Sequence, residues 1–210
     1  MIIETKFSGL QRDLLFPTPI YVKKFEGTKE LNKQLIKDIK VIKKKDPKGL
    51  EYTNVNGWHS QTDLNHKSAF DPLTQQAFTM VNQIFEDYGI APKSGLGNMW
   101  ANVNYPGSYN KHHIHPNTII AGVYYVKIPA DDSKSNIWIE DPRAGPNIVM
   151  PRRLDNLPRE LWRTVSYPPK EGLIYLFPGW LPHGTEMNRS KLKGEKGWRI
   201  SIAFNFIQTL

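Results

Sequence analysis

The hydrophobic pattern of this chain changes its period at about Asn98, and this change constrains the fold more than any other feature. Before it, apolar residues recur at helical spacing in two segments, and after it they alternate with a period of two. The first helix is predicted over residues 28–44, with Thr28 as its cap. The second is predicted from a cap at Asp71 to a terminating Gly89.

Beyond Asn98, runs rich in Ile, Val, Tyr and Phe predict strands separated by turns rich in Pro and Gly. These strands are predicted over residues 98–104, 118–128, 136–139, 173–177 and 198–206. An apolar segment at 14–22, held extended by two prolines, predicts a further strand near the N-terminus. The pattern indicates a mainly β protein with supporting α-helices, built as a sheet sandwich or jelly roll.

The length of 210 residues indicates a single domain over residues 1–210. We expect residues 1–95 to supply the N-terminal strand and the supporting helices. Residues 96–210 are then expected to form the β core. No internal repeat or low-complexity linker divides the chain.

Composition excludes several classes of protein and site. The chain has no Cys, which excludes disulfide scaffolds, thiolate metal sites and cysteine nucleophiles. No apolar run approaches the ~20 residues of a membrane span, and residues 1–6 lack the layout of a signal peptide. We therefore expect a soluble, cytoplasmic protein with no membrane partner.

The net charge of +8 comes mostly from two basic runs, Lys37–Lys48 and Arg189–Lys196. A basic protein can bind nucleic acid, but runs of this kind are usually solvated faces or loops. We therefore do not expect nucleic acid as a partner. The expected partner is a substrate, either a small molecule or a polypeptide, and a homodimer stays open.

Histidines provide the first candidate site. His113 and His115 project to the same side of an extended segment, because side chains alternate along a strand. Imidazole is a good ligand for Fe, Zn, Cu and Ni, so this pair indicates a metal site. His183, in the proline-rich turn that follows the predicted strand at 173–177, is the third candidate ligand.

The last predicted strand has one polar and one apolar face. Alternation places Arg199, Ser201 and Asn205 on one side, opposite Ile200 and Ile202. A guanidinium and a hydroxyl together can hold a carboxylate. A polar face on the last strand of a β-rich domain therefore indicates a binding site, unless this is an edge strand with its polar side in water.

The motifs, taken in their order along the chain, resemble those of the Fe(II)/2-oxoglutarate-dependent oxygenases. More narrowly, they are similar to an uncharacterised bacterial and phage branch of that superfamily. The resemblance rests on the H-x-H pair, a distal His and a following Arg-x-Ser. It also rests on the runs at 16–19, 57–60, 102–107, 122–126, 176–183 and 199–205, so it covers nearly the whole chain.

The resemblance implies a double-stranded β-helix, a cupin-like jelly roll that holds Fe(II) inside one mouth. It implies His113 and His183 as metal ligands, with His115 at the position where most of the superfamily has an Asp or Glu. Three neutral imidazoles would leave the full +2 charge of the ion uncompensated. Alternatives are that a water completes the ligand set in place of His115, or that His112 does so.

The resemblance also implies roles for the other candidates, with 2-oxoglutarate and O2 as co-substrates. Arg199 would bind the distal carboxylate of 2-oxoglutarate, and Ser201 would add a hydrogen bond. Further contacts to the co-substrate are expected from Tyr125, Asn102 and Asn205. The substrate rim is expected to include Trp100, Trp180 and Arg152.

The function implied is hydroxylation of an unidentified substrate, possibly a protein side chain, with release of succinate and CO2. A second hypothesis is a cupin-like three-His metal enzyme that does not use 2-oxoglutarate, against which the Arg-x-Ser pair argues. A third is a non-catalytic basic binding module on the same fold. This third hypothesis predicts that partner binding survives loss of His113 or His183 and weakens steeply with salt.

Overall fold

Antiparallel sheets make up most of the protein. The structure is a computed structural model that describes residues 2–4, 9–91, 93–132, 134–143, 145–148, 152 and 155–209. The strands of the described residues are β1 (Ile2–Glu4), β2 (Gln11–Asp13), β3 (Tyr21–Lys24), β4 (Asn54–Val55), β5 (Trp58–His59), β6 (Ser94–Asn104), β7 (Tyr109–Asn110), β8 (Ile120–Lys127), β9 (Ile137–Glu140), β10 (Thr164–Tyr167), β11 (Leu173–Pro178), β12 (His183–Thr185) and β13 (Arg199–Gln208). The helices are α1 (Lys29–Lys45), α2 (Asp71–Asp87) and the short α3 (Gly145–Ile148).

The larger sheet has six strands in the order β3-β11-β8-β13-β6-β5, and all neighbours are antiparallel. β13 lies between β6 and β8, so both of its backbone edges are hydrogen-bonded. Its register pairs Ser201 with Asn102 on one side and with Tyr125 on the other. Three candidate residues therefore lie in one row across the sheet, on the same face.

A smaller three-stranded sheet, β10-β9-β12, lies opposite the polar face of the larger one. The two sheets enclose a core of seven buried residues: Ala121, Tyr125, Ile137, Ile139, Tyr175, Phe177 and Leu181. β12 is also bridged to the chain at His113, which brings the H-x-H segment to the edge of the smaller sheet. This two-layered antiparallel arrangement is the predicted jelly roll, with the candidate residues between its sheets.

Helices α1 and α2 cover the other face of the larger sheet. Their apolar positions, including Leu35, Ile39, Leu73 and Val81, join the main core cluster. Tyr124 of β8 donates a 2.6 Å hydrogen bond to Asn32 Oδ1 and so connects the sheet to α1. The prediction of two helices that support a β core is confirmed.

Several predicted boundaries are wrong. Phe70, and not Asp71, occupies the N-cap of α2, and Asp71 is the first helical residue. Thr28 does cap α1, but its hydroxyl makes no cap hydrogen bond. In the segment 14–22 only the last two residues are in a strand, since β3 begins at Tyr21, and β6 begins at Ser94 rather than Asn98.

Several short elements are absent from the sequence-based prediction, and three of them, β7, β10 and β12, are strands in the second half of the chain. β10 lies within the segment 140–169, for which the sequence analysis predicts no strand. β12 is a strand of three residues where the sequence indicated a turn, and β7 follows the turn at residues 106–107. Part of the segment 140–169, including Arg153, lies outside the described residues. Among the described residues, no helix combines the length and apolar character needed to cross a membrane.

Candidate metal centre and co-substrate cavity

The backbone brings three histidines from two distant segments together. His113 and His183 form an antiparallel bridge, with N···O distances of 2.9 Å and 3.0 Å between their backbone N–H and C=O groups. The N–H of His115 donates to Gly179 O at 2.8 Å, which attaches the second histidine of the pair to the turn before His183. Backbone hydrogen bonds therefore hold the segments of the three predicted histidines next to one another.

Their imidazole rings converge on one point. One ring nitrogen of each histidine lies within 4.8 Å of the corresponding nitrogen of the others. His115 Nε2 and His183 Nε2 are 3.2 Å apart. Two ligands that bind one ion at right angles through bonds of ~2.1 Å lie about 3 Å apart, so this separation fits a shared metal. Within the described residues, this is the one cluster of His and acidic groups with metal-site geometry, and it contains no carboxylate.

Two of the rings have a fixed tautomer. His113 Nδ1 lies 2.7 Å from Lys111 O, and His183 Nδ1 lies 2.8 Å from Leu181 O. A carbonyl can only accept, so Nδ1 carries the proton and donates it in both rings. Nε2 is then left with a lone pair, which is how metal-bound histidines are usually oriented.

Burial keeps all three imidazoles neutral. Burial lowers the pKa of His115 to about 4, with a further decrease from neighbouring His113, while the adjacent Asn205 side chain acts in the opposite direction. Burial also lowers the pKa of His113 and lowers that of His183 well below its usual range. At neutral pH the cluster therefore presents lone pairs and no competing protons. This donor set fits a divalent first-row transition metal.

Arg199 is the second notable group. Its side chain is only 1 % exposed, and its guanidinium donates to Ser135 O, Glu186 O and Thr185 Oγ1 at 2.8, 3.3 and 3.1 Å. All three acceptors are neutral, and no salt bridge to Arg199 is present among the described residues. Burial lowers the pKa of Arg199, while Tyr125 and the buried carboxylate of Asp132, which forms no ion pair with it, act in the opposite direction. A guanidinium nevertheless stays protonated in proteins. A buried cation without an acidic partner is costly unless an anion binds beside it.

One cavity connects Arg199 with the three histidines. Its lining includes His113, His115, His183, Arg199, Ser201, Asn102 and Tyr125. The hydroxyl of Tyr125 and Oδ1 of Asn102 are buried without a hydrogen-bond partner among the described residues. Unpaired buried polar atoms are uncommon in folded proteins, and here they line the space between the histidines and Arg199. Burial raises the pKa of Tyr125, so its hydroxyl is a proton donor at neutral pH.

The three residues expected at the substrate rim lie in different surroundings. Trp100 is stacked on His115, with ring centroids 5.9 Å apart, and lines the cavity. Trp180 is half exposed and borders a second, shallow depression beside His115. Arg152 is exposed and does not belong to the lining of either space.

Sequence reasoning missed Thr185 and underestimated His59. Thr185 accepts a hydrogen bond from Arg199 and lies two residues after His183 on β12. Had residues 183–185 been interpreted as a strand, alternation would have placed Thr185 on the same face as His183. His59 stacks on Trp100; its run at 57–60 contributes to the family resemblance, but nothing in that run places the His59 ring at the site.

A comparison with protein families decides the identity. Residues 98–205, just over half of the chain, match the 2OG-Fe(II) oxygenase model 2OG-FeII_Oxy_5. The chain belongs to this 2OG-Fe(II) oxygenase family. Its cofactor is accordingly Fe(II), and its co-substrates are 2-oxoglutarate and O2. No curated protein sequence matches this oxygenase significantly.

Solved structures share the fold. A Pseudomonas putida prolyl-4-hydroxylase aligns with 92 % of this oxygenase and 94 % of its own chain, at a TM-score of 0.63 and 12 % identity. HygX from Streptomyces hygroscopicus, with nickel, 2-oxoglutarate and hygromycin B bound, aligns with 92 % of this oxygenase and 84 % of its own chain. The TM-score is 0.62 and the sequence identity 10 %. The viral collagen prolyl hydroxylase vCPH from Paramecium Bursaria Chlorella virus-1, in its 2-oxoglutarate complex, aligns with 89 % of this oxygenase and 95 % of its own chain. The TM-score is 0.54 and the sequence identity 14 %. The predicted double-stranded β-helix is confirmed.

Proposed function

We propose that this oxygenase is a hydroxylase in which His113, His115 and His183 hold Fe(II), and Arg199 and Ser201 hold 2-oxoglutarate. The observation that supports it most is that a buried Arg, with no ion pair among the described residues, shares one cavity with three neutral imidazoles. Arg199 at one end of the cavity can bind a carboxylate, and the imidazoles at the other end can bind a metal. This arrangement suits a dianion that coordinates the metal through its other end.

The three imidazoles would supply the ligand set without a carboxylate. Nδ1 of His113 and of His183 remains protonated and bonded to the backbone, so both rings offer Nε2 to the ion. Three neutral ligands leave the +2 charge of Fe(II) in place. With the charge of Arg199, the cavity then attracts a dianion more strongly than a site with one Asp or Glu would.

Arg199 and the row of residues beside it would orient the co-substrate. The guanidinium donates hydrogen bonds in a fixed plane that matches a carboxylate, and Ser201 lies one alternation further along β13. Tyr125, paired with Ser201 across the sheet, has a hydroxyl free to donate. Asn102 completes the row from β6, and Asn205 lies beside His115.

When bound, the iron supplies O2 activation, in which 2-oxoglutarate is oxidised to succinate and CO2 and one oxygen atom enters a substrate C–H bond. The protein's part is to bind, orient and exclude water. Arg199 itself is only 1 % exposed, so its end of the cavity is shielded from bulk solvent. The substrate would enter past Trp100 and Trp180, with Arg152 on the surrounding surface.

The test is anaerobic addition of 2-oxoglutarate to the Fe(II)-loaded protein, followed by visible spectroscopy. Chelation of the keto acid by the iron gives a weak charge-transfer band, and we expect this band in the wild-type protein. Arg199→Ala should need far more 2-oxoglutarate to produce it. Arg199→Lys, which keeps the charge and loses the planar fork, should lie between the two.

His115→Ala addresses the third ligand. Loss of both iron and band in this variant supports His115 as a ligand, whereas an unchanged band contradicts it. Iron binding without a band in the wild-type protein would favour the three-His enzyme that does not use 2-oxoglutarate. Absence of iron binding altogether would favour the non-catalytic module. No observation on the described residues favours either alternative.

A further inference from the structure

His115 is held differently from the other two histidines. His113 and His183 each bond a backbone carbonyl through Nδ1, and their backbones are paired with one another. Among the described residues, no backbone carbonyl accepts from the ring of His115, whose polar neighbours are His183 Nε2 and the Asn205 side chain. The backbone carbonyl that orients each of the other two rings is therefore absent at His115, where the Asn205 side chain is the neighbouring polar group instead.

Aromatic stacking supports the ring of His115 on both of its faces. The ring of His115 lies parallel to that of His183, at 6° with centroids 5.0 Å apart. On its other side is Trp100, at 23° and 5.9 Å. Trp100 in turn stacks on His59, at 12° and 5.4 Å. These separations are typical of offset aromatic stacking, and the four rings form one continuous column.

The far end of the column is fixed to the sheet. His59 is 3 % exposed, and its Nδ1 lies 2.6 Å from Ser60 O. The edge of Tyr52 contacts the same ring, with centroids 5.3 Å apart at 70°. His59 is paired with Asn102 of β6, the strand that also carries Trp100. A shift of Trp100 away from His115 would therefore displace a buried, hydrogen-bonded ring.

We propose that Trp100 and His59 are positioning residues that orient His115 for metal binding. This inference rests on the proposed function, in which His115 is a ligand. An imidazole donates one lone pair in one direction, whereas a carboxylate has two oxygens and tolerates rotation. A histidine in this position therefore needs a more rigid support than an acid would, and the column supplies it.

The test measures Ni(II) affinity by calorimetry and the visible spectrum of the Co(II) form, without turnover. Trp100→Ala and His59→Leu should each weaken Ni(II) binding about 10- to 100-fold, the usual cost of losing a group that orients a ligand. Both should also change the Co(II) spectrum. Trp100→Phe, which keeps a stacking ring, should stay within a few-fold of wild type and restore the spectrum.

Matched variants separate the possible results. Trp162→Phe alters an exposed tryptophan outside the column and should bind Ni(II) as the wild type does. A purely structural role for Trp100 or His59 would lower the melting temperature of the metal-free protein and leave the Ni(II) isotherm and Co(II) spectrum unchanged. That outcome overturns the inference and leaves the proposed function intact. If His115→Ala binds Ni(II) like wild type, the proposed ligand set fails, and this inference fails with it.

Discussion

The two faces of the ten-residue strand β13 differ in role, since one packs in the apolar core and the other lines the cavity. Ile200, Ile202 and Phe204 point towards the helices and are fully buried in the main apolar core. Arg199 and Ser201 point into the cavity and are almost as inaccessible to solvent. The two faces are therefore almost equally buried, but one is apolar and the other is polar and carries a positive charge.

The difference lies in how completely each face is satisfied by the protein itself. The apolar face is packed against α1, α2 and the neighbouring strands. The cavity face keeps a cation without an acidic partner, and next to it lie the unpaired Tyr125 hydroxyl and Asn102 Oδ1. Strand alternation lets one segment stabilise the fold with one face and hold a ligand with the other.

The largest effect is expected on the apolar face. Ile202→Ala removes a fully buried side chain between the sheet and the helices and should lower the free energy of unfolding by about 2–5 kcal/mol. Urea denaturation of the metal-free protein measures it. The Ni(II) affinity of the folded variant should match wild type. A loss of stability below about 1 kcal/mol would mean that this face is not tightly packed.

On the cavity face, Arg199→Ala should reduce the affinity of the metal-loaded protein for 2-oxoglutarate about 100-fold. Charge-assisted hydrogen bonds are worth ~1.5–3 kcal/mol, and the upper part of that range corresponds to this factor. Anaerobic calorimetry measures the affinity. Metal affinity should change little, because Arg199 does not belong to the histidine cluster. Equal 2-oxoglutarate affinity in variant and wild type would contradict the assignment.

A third prediction concerns pH. The buried histidines have lowered pKa values in the folded protein, near 4 for His115, so between pH 6.5 and 4 the unfolded chain binds more protons. Stability of the metal-free protein should therefore fall as pH decreases through this window. His115→Gln should reduce the fall over one pH unit by about 1 kcal/mol, the contribution of a single group. Denaturation curves at pH 6.5, 5.5 and 4.5 give the slopes, and identical slopes would argue against a neutral, buried His115.

The smallest effect is expected from Ser201→Ala. Removing one neutral hydrogen bond, worth about 0.5–1.5 kcal/mol, should weaken 2-oxoglutarate binding roughly fivefold. The same calorimetric titration detects it. Ala203, the next residue on that face, gives the control: Ala203→Ser adds a hydroxyl beside the cavity and should not improve binding. If Ser201→Ala is as damaging as Arg199→Ala, the division of roles between them is wrong.

Local patterns explain why much of this fold is predictable from the sequence. The apolar residues at helical spacing after Asp71, and the alternation of polar and apolar residues over 199–205, each involve residues close together in the chain. Both patterns are therefore visible in the sequence. The same alternation places Arg199 opposite Ile200 and predicts the polar face. H-x-H predicts two of the clustered histidines because they are only two residues apart.

Contacts distant in sequence are less accessible to such reasoning. His59 reaches His115 only through Trp100, across strands that pair after folding. Strands of two or three residues, such as β7 and β12, are too short to show a period. They are set by pairing with other segments, and this is why Thr185 was missed. The cap at Phe70 follows from a preceding 3₁₀ turn that leads directly into α2, and no residue preference indicates it.

The most direct test of the account is a crystal structure of the protein grown without oxygen in the presence of Mn(II) and 2-oxoglutarate. We predict the metal on His113, His115 and His183, with a carboxylate of 2-oxoglutarate on the guanidinium of Arg199. A metal that is bound elsewhere, or a co-substrate that leaves Arg199 with only its neutral partners, would contradict the central claim.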